Sequence, residues 1–431
     1  MFQLLRLLLL ALLLLPGLAG AQARQPVPPH PDTAAFDVAA ATQTYLNTLT
    51  PAQKAASDAY FEGGYWLLLV GVLWAVGVAV VFLRLGLSRR LGAVADRVPR
   101  RLRVPAFAAL YLLVAYGLNF PLSVYEGYVR EHQYGLSNQS FGAWLRESLV
   151  GLSLSVVFGS LLLWALYAAI RRAGRRWWMW GAGITVVFLT IGLFIGPVFI
   201  SPLFNTYTSL PAGPVRTAIL SMARANGVPA GNVYLFDASR QSKRISANVS
   251  GLGRTIRVSL NDNLLRRCTP AEVEAVMGHE LGHYVLNHAA KMLLALTLLA
   301  LLGFAFVDWA FRRLADRYGP GWGISGGLAD VRGLPLLVVL FAVFGFLTTP
   351  LTNTLIRTQE QEADVFGLNA ARQPDGFASV AMKLSEYRKI EPGPWEEILF
   401  FDHPSGRTRV QTAMRWKAEN LPALRPTAPA P

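Results

Sequence analysis

The sequence predicts a mainly α-helical, polytopic membrane protein that carries a small β-hairpin or sheet. Three observations lead there. Hydrophobic residues make up 53% of the 431-residue chain and charged ones only 15%, and mean hydropathy is +0.36, a balance foreign to a water-soluble globule. Six stretches of about 20 residues hold a single charge between them, Asp308, and each is long enough to cross ~30 Å of hydrocarbon as a helix. Arginines crowd some of the segments between these stretches and avoid others, which is the asymmetry of a membrane topology.

In chain order, residues 1–23 are apolar apart from Arg6 and end in small residues, so they read as a signal peptide, with an uncleaved first anchor as the alternative. Residues 24–60 form an N-terminal segment, proline- and alanine-rich at first and helical from about residue 39. Four spans fall within 61–200 (64–83, 104–124, 150–170 and 178–200), and two more within 292–352 (292–311 and 334–352). Trp177, Trp178 and Trp180, like Tyr125 and Tyr128, lie at span ends, where amphipathic rings settle at the interface. Seven arginines occupy 84–103, four occupy 171–176 and four occupy 312–332. Those loops read as cytoplasmic, which sends 24–60, 201–291 and 353–431 to the external side, the periplasm of a bacterial inner membrane. The net charge of +14 is concentrated in them, and no basic face interleaved with aromatics points to nucleic acid. The single cysteine, Cys268, excludes an internal disulfide and an all-cysteine metal site.

Residues 201–291 have soluble character. Pro214 opens an amphipathic helix to Asn226 with Val215, Ile219 and Met222 on one face. Residues 232–237 and 255–260 read as strands. Between them 248–253 is a turn or an exposed edge; an edge accepts an extended peptide through backbone hydrogen bonds, whereas an ordinary hairpin does not.

The same region contains His279-Glu280-Leu-Gly-His283, preceded by Thr269, Pro270 and Glu272, an N-cap, a first-turn proline and a capping-box acid. Histidines four apart on a helix share a face and can hold one Zn²⁺, and a glutamate beside the first can accept a proton from water. Such a site needs a third protein ligand and an open position. Acids after the last span, in Arg357-Thr-Gln-Glu360-Gln-Glu362-Ala-Asp364, are candidates. Glu360 and Asp364 share a face while Glu362 points roughly opposite, so geometry favours that pair, one as ligand and one orienting a histidine. On a continuous helix His288 lies about 180° from His279, which suggests a structural role.

With these motifs in place, the chain resembles a membrane zinc metallopeptidase of the type I CAAX prenyl protease family, in a bacterial member, from about residue 125 to the C-terminus. The resemblance is carried, in order, by Glu131-His132-Gln-Tyr134-Gly135-Leu-Ser137-Asn138-Gln139 with Trp144, by Pro197…Ser-Pro202-Leu-Phe204-Asn205, and by His279-Glu280-Leu-Gly282-His283 with Asn287-His288. Asn353…Arg357…Glu360-Gln-Glu-Ala363-Asp364 and His403-Pro404-Ser405 with Arg409 complete it. It implies a chamber of transmembrane helices capped by a zincin-like catalytic domain, with one Zn²⁺ held by His279, His283 and Glu360. It implies Glu280 as general base, Asp364 as partner of a ligand histidine, and His403 near the reacting carbonyl. It counts Asn248 and Arg409 as substrate-binding, Asn248 near the edge that contacts substrate and Arg409 where an arginine supports the acidic helix. This chain departs from the family in reading Ser246-Ala247-Asn248 where Asn-Ala-Tyr is common, and Ile356 where serine is frequent. The implied activity is endopeptidase cleavage of peptides or proteins, membrane-associated or lipidated ones included, in CAAX-type processing or in quality control of membrane and envelope proteins. A non-proteolytic metal-binding scaffold or transporter is the other reading.

Overall fold

The computed structural model describes residues 36–251 and 256–421; the expected signal peptide or anchor at 1–23 lies outside the described residues. Five stretches are long and apolar enough to cross a membrane, and the third, Phe141–Leu203, contains two helices. These helices are α2 (Pro51–Arg84), α4 (Arg103–Val124), α5 (Phe141–Ala173), α6 (Trp177–Ile195), α10 (His288–Trp322) and α11 (Leu334–Ala371). The α5–α6 turn passes through Gly174 at φ 55°, a left-handed backbone that glycine adopts without steric cost. Each expected span therefore falls on a helix, and the helices are longer than the hydrocarbon needs. At 1.5 Å per residue the 38 residues of α11 extend about 57 Å, so the last span and the acidic motif are one helix rather than a span followed by a separate segment.

The membrane half packs around Phe82, Phe107, Tyr111, Tyr167, Trp177, Phe304 and Phe311, all buried. Asp308 is matched inside it: the Trp177 indole donates to its carboxylate at 2.5 Å and Arg312 pairs with it at 2.8 Å, the pairing that a charge at membrane depth requires. The basic segments meet at one end of the bundle. Ser88, in α3 (Leu87–Ala95), donates to the Arg332 carbonyl at 2.6 Å, and Arg332 pairs with Asp96 at 2.6 Å.

At the other end sit a four-stranded sheet and helices. Strands β1 (Tyr207–Ser209), β2 (Val233–Phe236), β3 (Ala247–Ser250) and β4 (Arg257–Asn261) are ordered β1-β2-β4-β3. The β2–β4 pair is parallel and the other two antiparallel. The expected strands are thus central, and the stretch read as a turn or edge is an edge strand. The sheet packs on α7 (Pro214–Ala225) and α9 (Pro270–Val285) through Ile219, Val233, Val258, Leu260, Met277 and Leu281; short α8 (Asp262–Arg267) joins it to α9.

A third core joins the chain's two ends. In α1 (Val38–Leu46) Leu46 meets Phe377 of α12 (Pro374–Leu384) and Val410 and Met414 of α14 (Gly406–Asn420). Tyr45 donates to Asp375 at 2.8 Å, and Ser57 to the Arg388 carbonyl at 3.0 Å. Nothing in the local sequence of 24–60 signals this docking.

The catalytic half is fastened to the last span where α9 crosses α11. A methyl on Gly278 would stand 2.9 Å from the Gly367 carbonyl oxygen, and one on Gly367 would stand 2.7 Å from the His279 nitrogen. Gly367→Ala is therefore expected to destabilise the protein by about 1–3 kcal/mol, although alanine favours helix over glycine by up to ~1 kcal/mol. Thermal unfolding in detergent, followed by tryptophan fluorescence, checks this; an unchanged or higher midpoint would show that the crossing tolerates a side chain.

Candidate functional site

Helix α9 is anchored at its start by the capping box predicted for Thr269 and Glu272. The same Glu272 carboxylate accepts from Ser379 at 2.5 Å and Lys383 at 2.7 Å on α12, which fixes the rotation of α9. That rotation points His279 and His283 at α11, where Glu360 and Asp364 face back. The His279 and His283 Nε2 atoms are 3.1 Å apart. Glu360 places one oxygen 3.3 Å from His279 Nε2 and the other 3.4 Å from His283 Nε2. These three residues are the one group of potential metal donors found among the described residues. Two ligands at the usual Zn–N or Zn–O distance on adjacent tetrahedral vertices stand about 3.3 Å apart, the spacing each histidine keeps from the other and from its nearer Glu360 oxygen, so two imidazoles and a carboxylate here suit a tetrahedral ion with one vertex left open.

The outer faces of both histidines are engaged. Asp364 accepts from His279 Nδ1 at 2.7 Å and is gripped by Arg409 of α14, Nε at 3.0 Å and Nη2 at 2.5 Å. Both Asp364 and Arg409 are buried. Arg409 borders the cavity, and two of its donors are spent on Asp364, so it supports the acidic helix where an arginine was expected to.

His283 is backed by residues that the sequence reading set aside. Helix α9 ends at Val285, and Asn287 adopts φ 56°, so His288 is the first residue of α10 and turns back toward the site instead of lying opposite His279. Its Nδ1 is 2.9 Å from His283 Nδ1 and its Nε2 is 3.0 Å from Glu362, which also binds Lys291 at 2.7 Å. One tautomer chain satisfies every contact: with His283 Nε2 free toward the donor triangle, its Nδ1–H donates to His288 Nδ1, whose Nε2–H donates to Glu362. Asn287 was the available signal, since asparagine tolerates a left-handed backbone and often stops a helix.

A cavity of about 140 Å³ opens beside the triangle, lined by His279, Glu280, Glu360 and His403. Ser246 and Ala247, leading into the edge strand, border it. Asn248 does not: the strand alternation that packs Ala247 and Val249 on the core turns Asn248 to the opposite face. His403 Nε2 is 3.2 Å from Glu360 and its Nδ1 is 2.8 Å from Asp402. Tyr387 and Arg388 complete the wall; no motif marked them.

Burial pushes the Glu280 carboxyl up to about 7, since an ionised carboxylate there loses its water and faces Glu360. Burial lowers His283 to about 4, reinforced by the positive charge on His279. Burial also works against the charge on His279, but its hydrogen bonds to the Asp364 and Glu360 carboxylates outweigh that and raise the imidazole to about 9. Without a metal, then, His279 carries a second proton as an imidazolium while His283 stays a neutral imidazole.

His288→Ala should lower affinity for a divalent ion by about 10–100-fold, the usual cost of removing a group that orients a ligand, while Glu362→Gln, whose amide oxygen still accepts from His288, stays near the parent. Competition against a chelator of known affinity measures both; equal affinities for the parent and His288→Ala would remove His288 from the site.

Comparison with known proteins places this geometry. Residues 209–417 match Peptidase family M48, and residues 41–206 match the CAAX prenyl protease N-terminal family, described as five membrane helices. An uncharacterized metalloprotease of Bacillus subtilis, YhfN, is 29% identical over 87% of this chain and 88% of its own length. CAAX prenyl protease 1 of Saccharomyces cerevisiae is 25% identical over 70% of each chain. The crystal structure of Ste24p from S. mikatae shares the fold, with a TM-score of 0.70 and 20% identity over 95% of this chain and 97% of that one. Because the membrane half matches as well as the catalytic half, the chain belongs to peptidase family M48, as a multi-pass membrane metalloprotease of the CAAX prenyl protease type.

Proposed function

We propose that the protein is a zinc-dependent endopeptidase that cleaves peptide bonds at the His279–His283–Glu360 triangle. The observation that carries this reading is the donor spacing of 3.1 to 3.4 Å, closed behind by Asp364 and open toward the cavity that Glu280 lines. Two imidazoles and a carboxylate suit Zn²⁺, one per chain, and the open vertex suits catalysis rather than structure.

Zinc, when bound, supplies Lewis acidity toward water and the scissile carbonyl. Glu280 takes the proton of the attacking water and passes it to the leaving amine; a carboxyl titrating near neutrality does both at little cost. Asp364, held by Arg409, presents His279 in the tautomer that frees Nε2. His403 stands at the cavity edge where it donates to the developing oxyanion, an effect worth about 3 kcal/mol in comparable sites. The edge strand β3 receives an extended substrate through backbone hydrogen bonds, with Ser246 and Ala247 rather than Asn248 toward the cavity.

The substrates we infer are peptide segments of membrane-associated or lipidated proteins, in CAAX-type processing or in membrane and envelope protein quality control. The basic loops lie at the end of the bundle opposite the cavity; by the preference of arginine-rich loops for the cytoplasm, the catalytic side faces the periplasm of a bacterial inner membrane. A reporter fused after Leu260 tests this: activity of a cytoplasm-only reporter there reverses the orientation.

Glu280→Gln is expected to retain zinc and lose at least about 10²-fold in kcat/KM on a model peptide; cleavage at the parent rate would refute the assigned base. Zinc binding should also release a proton. His279 is protonated below about 9 in the metal-free protein and neutral as a ligand, so one proton leaves near pH 7 and affinity rises about tenfold per pH unit until pH approaches that value. Calorimetry in buffers of different ionisation enthalpy counts the protons, and a pH-independent affinity from pH 6 to 8 would contradict the assignment of His279.

A further inference from the structure

Helix α13 (Pro394–Phe400) has its polarity inside out. Trp395, Ile398 and Leu399, spaced i, i+3, i+4, form one face and are 76%, 43% and 39% exposed. Its acids turn inward: Glu396 accepts from Tyr65 at 2.8 Å and Lys389 at 2.9 Å, and Glu397 from the Ser405 backbone at 3.0 Å. A helix on a water-facing surface shows the reverse pattern.

The position of the helix along the bundle explains the inversion. Asn353 donates to the Leu399 carbonyl at 2.9 Å, and Arg357 donates to the carbonyls of Glu397, at 2.8 Å, and Phe401. Asn353 lies near the end of the charge-free run 334–356 of α11, four residues before Arg357. On the other flank Phe400 stacks on Tyr65, ring centroids 4.0 Å apart, and Tyr65 is the third residue of the charge-free run 63–83 of α2. Both neighbours therefore place α13 at the height where the lipid-facing surface begins. Its apolar face continues that surface, since Trp66, next to Tyr65, is 70% exposed and Leu347 on α11 is 64% exposed.

We propose that α13 is an interfacial anchor, with Trp395, Ile398 and Leu399 seated among the headgroups and upper acyl chains of the catalytic-side leaflet. A tryptophan between two aliphatic side chains is the composition that this layer favours. Seven residues do not hold a helix in water; Asn353 and Arg357 supply the carbonyl partners that keep this one formed. Three residues past its end lies His403, 3.2 Å from Glu360, so the anchor sets the height of the cavity above the lipid. The anchor rests on the fold and the spans, not on the zinc reading, and its depth is measured without any activity.

The test uses the full chain in lipid nanodiscs, with Cys268→Ser removing the only native thiol and a nitroxide placed by Trp395→Cys or, on the same face, by Ile398→Cys. Leu347→Cys provides a lipid reference and the exposed Arg224→Cys of α7 a water reference. The expected result is oxygen accessibility well above that at 224, and accessibility to a water-soluble nickel chelate well below it. Nickel accessibility equal to that at 224 places the face in water and overturns the anchor. Protection from both reagents, or spin–spin broadening that grows with protein concentration, means that protein covers the face, a partner or a second copy, and overturns it as well. Trp395→Asp should slow cleavage of a bilayer-anchored substrate several-fold while leaving a soluble peptide within about twofold in detergent; equal loss on both would show that the anchor does not set substrate height.

Discussion

The structure depends on one close crossing. Helices α9 and α11 meet where Gly278 faces Gly367, near enough that a Cβ on either would stand under 3 Å from the backbone of the opposite helix. Only there can one turn of α9 offer His279 and His283 to one turn of α11 offering Glu360 and Asp364. Larger residues would widen the gap by more than a side-chain hydrogen bond can span, and the 3.1 to 3.4 Å triangle would open. The glycines contribute by having nothing there.

The membrane enters the site through continuity rather than proximity. Helix α11 runs unbroken from the lipid region into the acidic motif, and α10 leaves for the membrane from His288, itself in contact with His283. The spans therefore act as levers that hold both halves of the donor set. Each histidine of the donor set has a separate support: Asp364 and Arg409 behind His279, His288 and Glu362 behind His283. The first support comes from the C-terminal helix α14 and the second from the first turn of a span, so the geometry at the triangle reports on the assembly of the whole chain. Docking of α1 onto α12 and α14 adds the N-terminal segment to that assembly.

Much of this was legible in residue order. The spans follow from charge-free runs, which water-soluble helices cannot afford, and the start of α9 from a capping box whose two hydrogen bonds form as read. The i, i+4 pairs His279–His283 and Glu360–Asp364 were visible because helical periodicity is local. Where the reading went astray, a single backbone angle or a strand face was responsible. One left-handed residue, Asn287, moved His288 from the far side of an imagined continuous helix to a partner of His283. The alternation of β3 turned Asn248 away from the cavity.

By itself, then, the sequence determined what nearest neighbours decide: which stretches are helical, which can cross a bilayer, which side chains share a helix face, and on which end of the bundle the arginines gather. Tertiary structure alone decided which faces meet. Glu360 lies 77 residues beyond His283; local periodicity favours it over Glu362 by putting it on one face with Asp364, but the Gly278–Gly367 contact sets the rotation of α11 that turns this face to both imidazoles. Likewise the outward tryptophan of α13 looks like an ordinary surface residue until its neighbours Tyr65 and Asn353 place it level with the start of the lipid-facing surface. Periodicity is a property of one chain segment, whereas proximity across the fold is a property of packing, and chemistry at this site needs both.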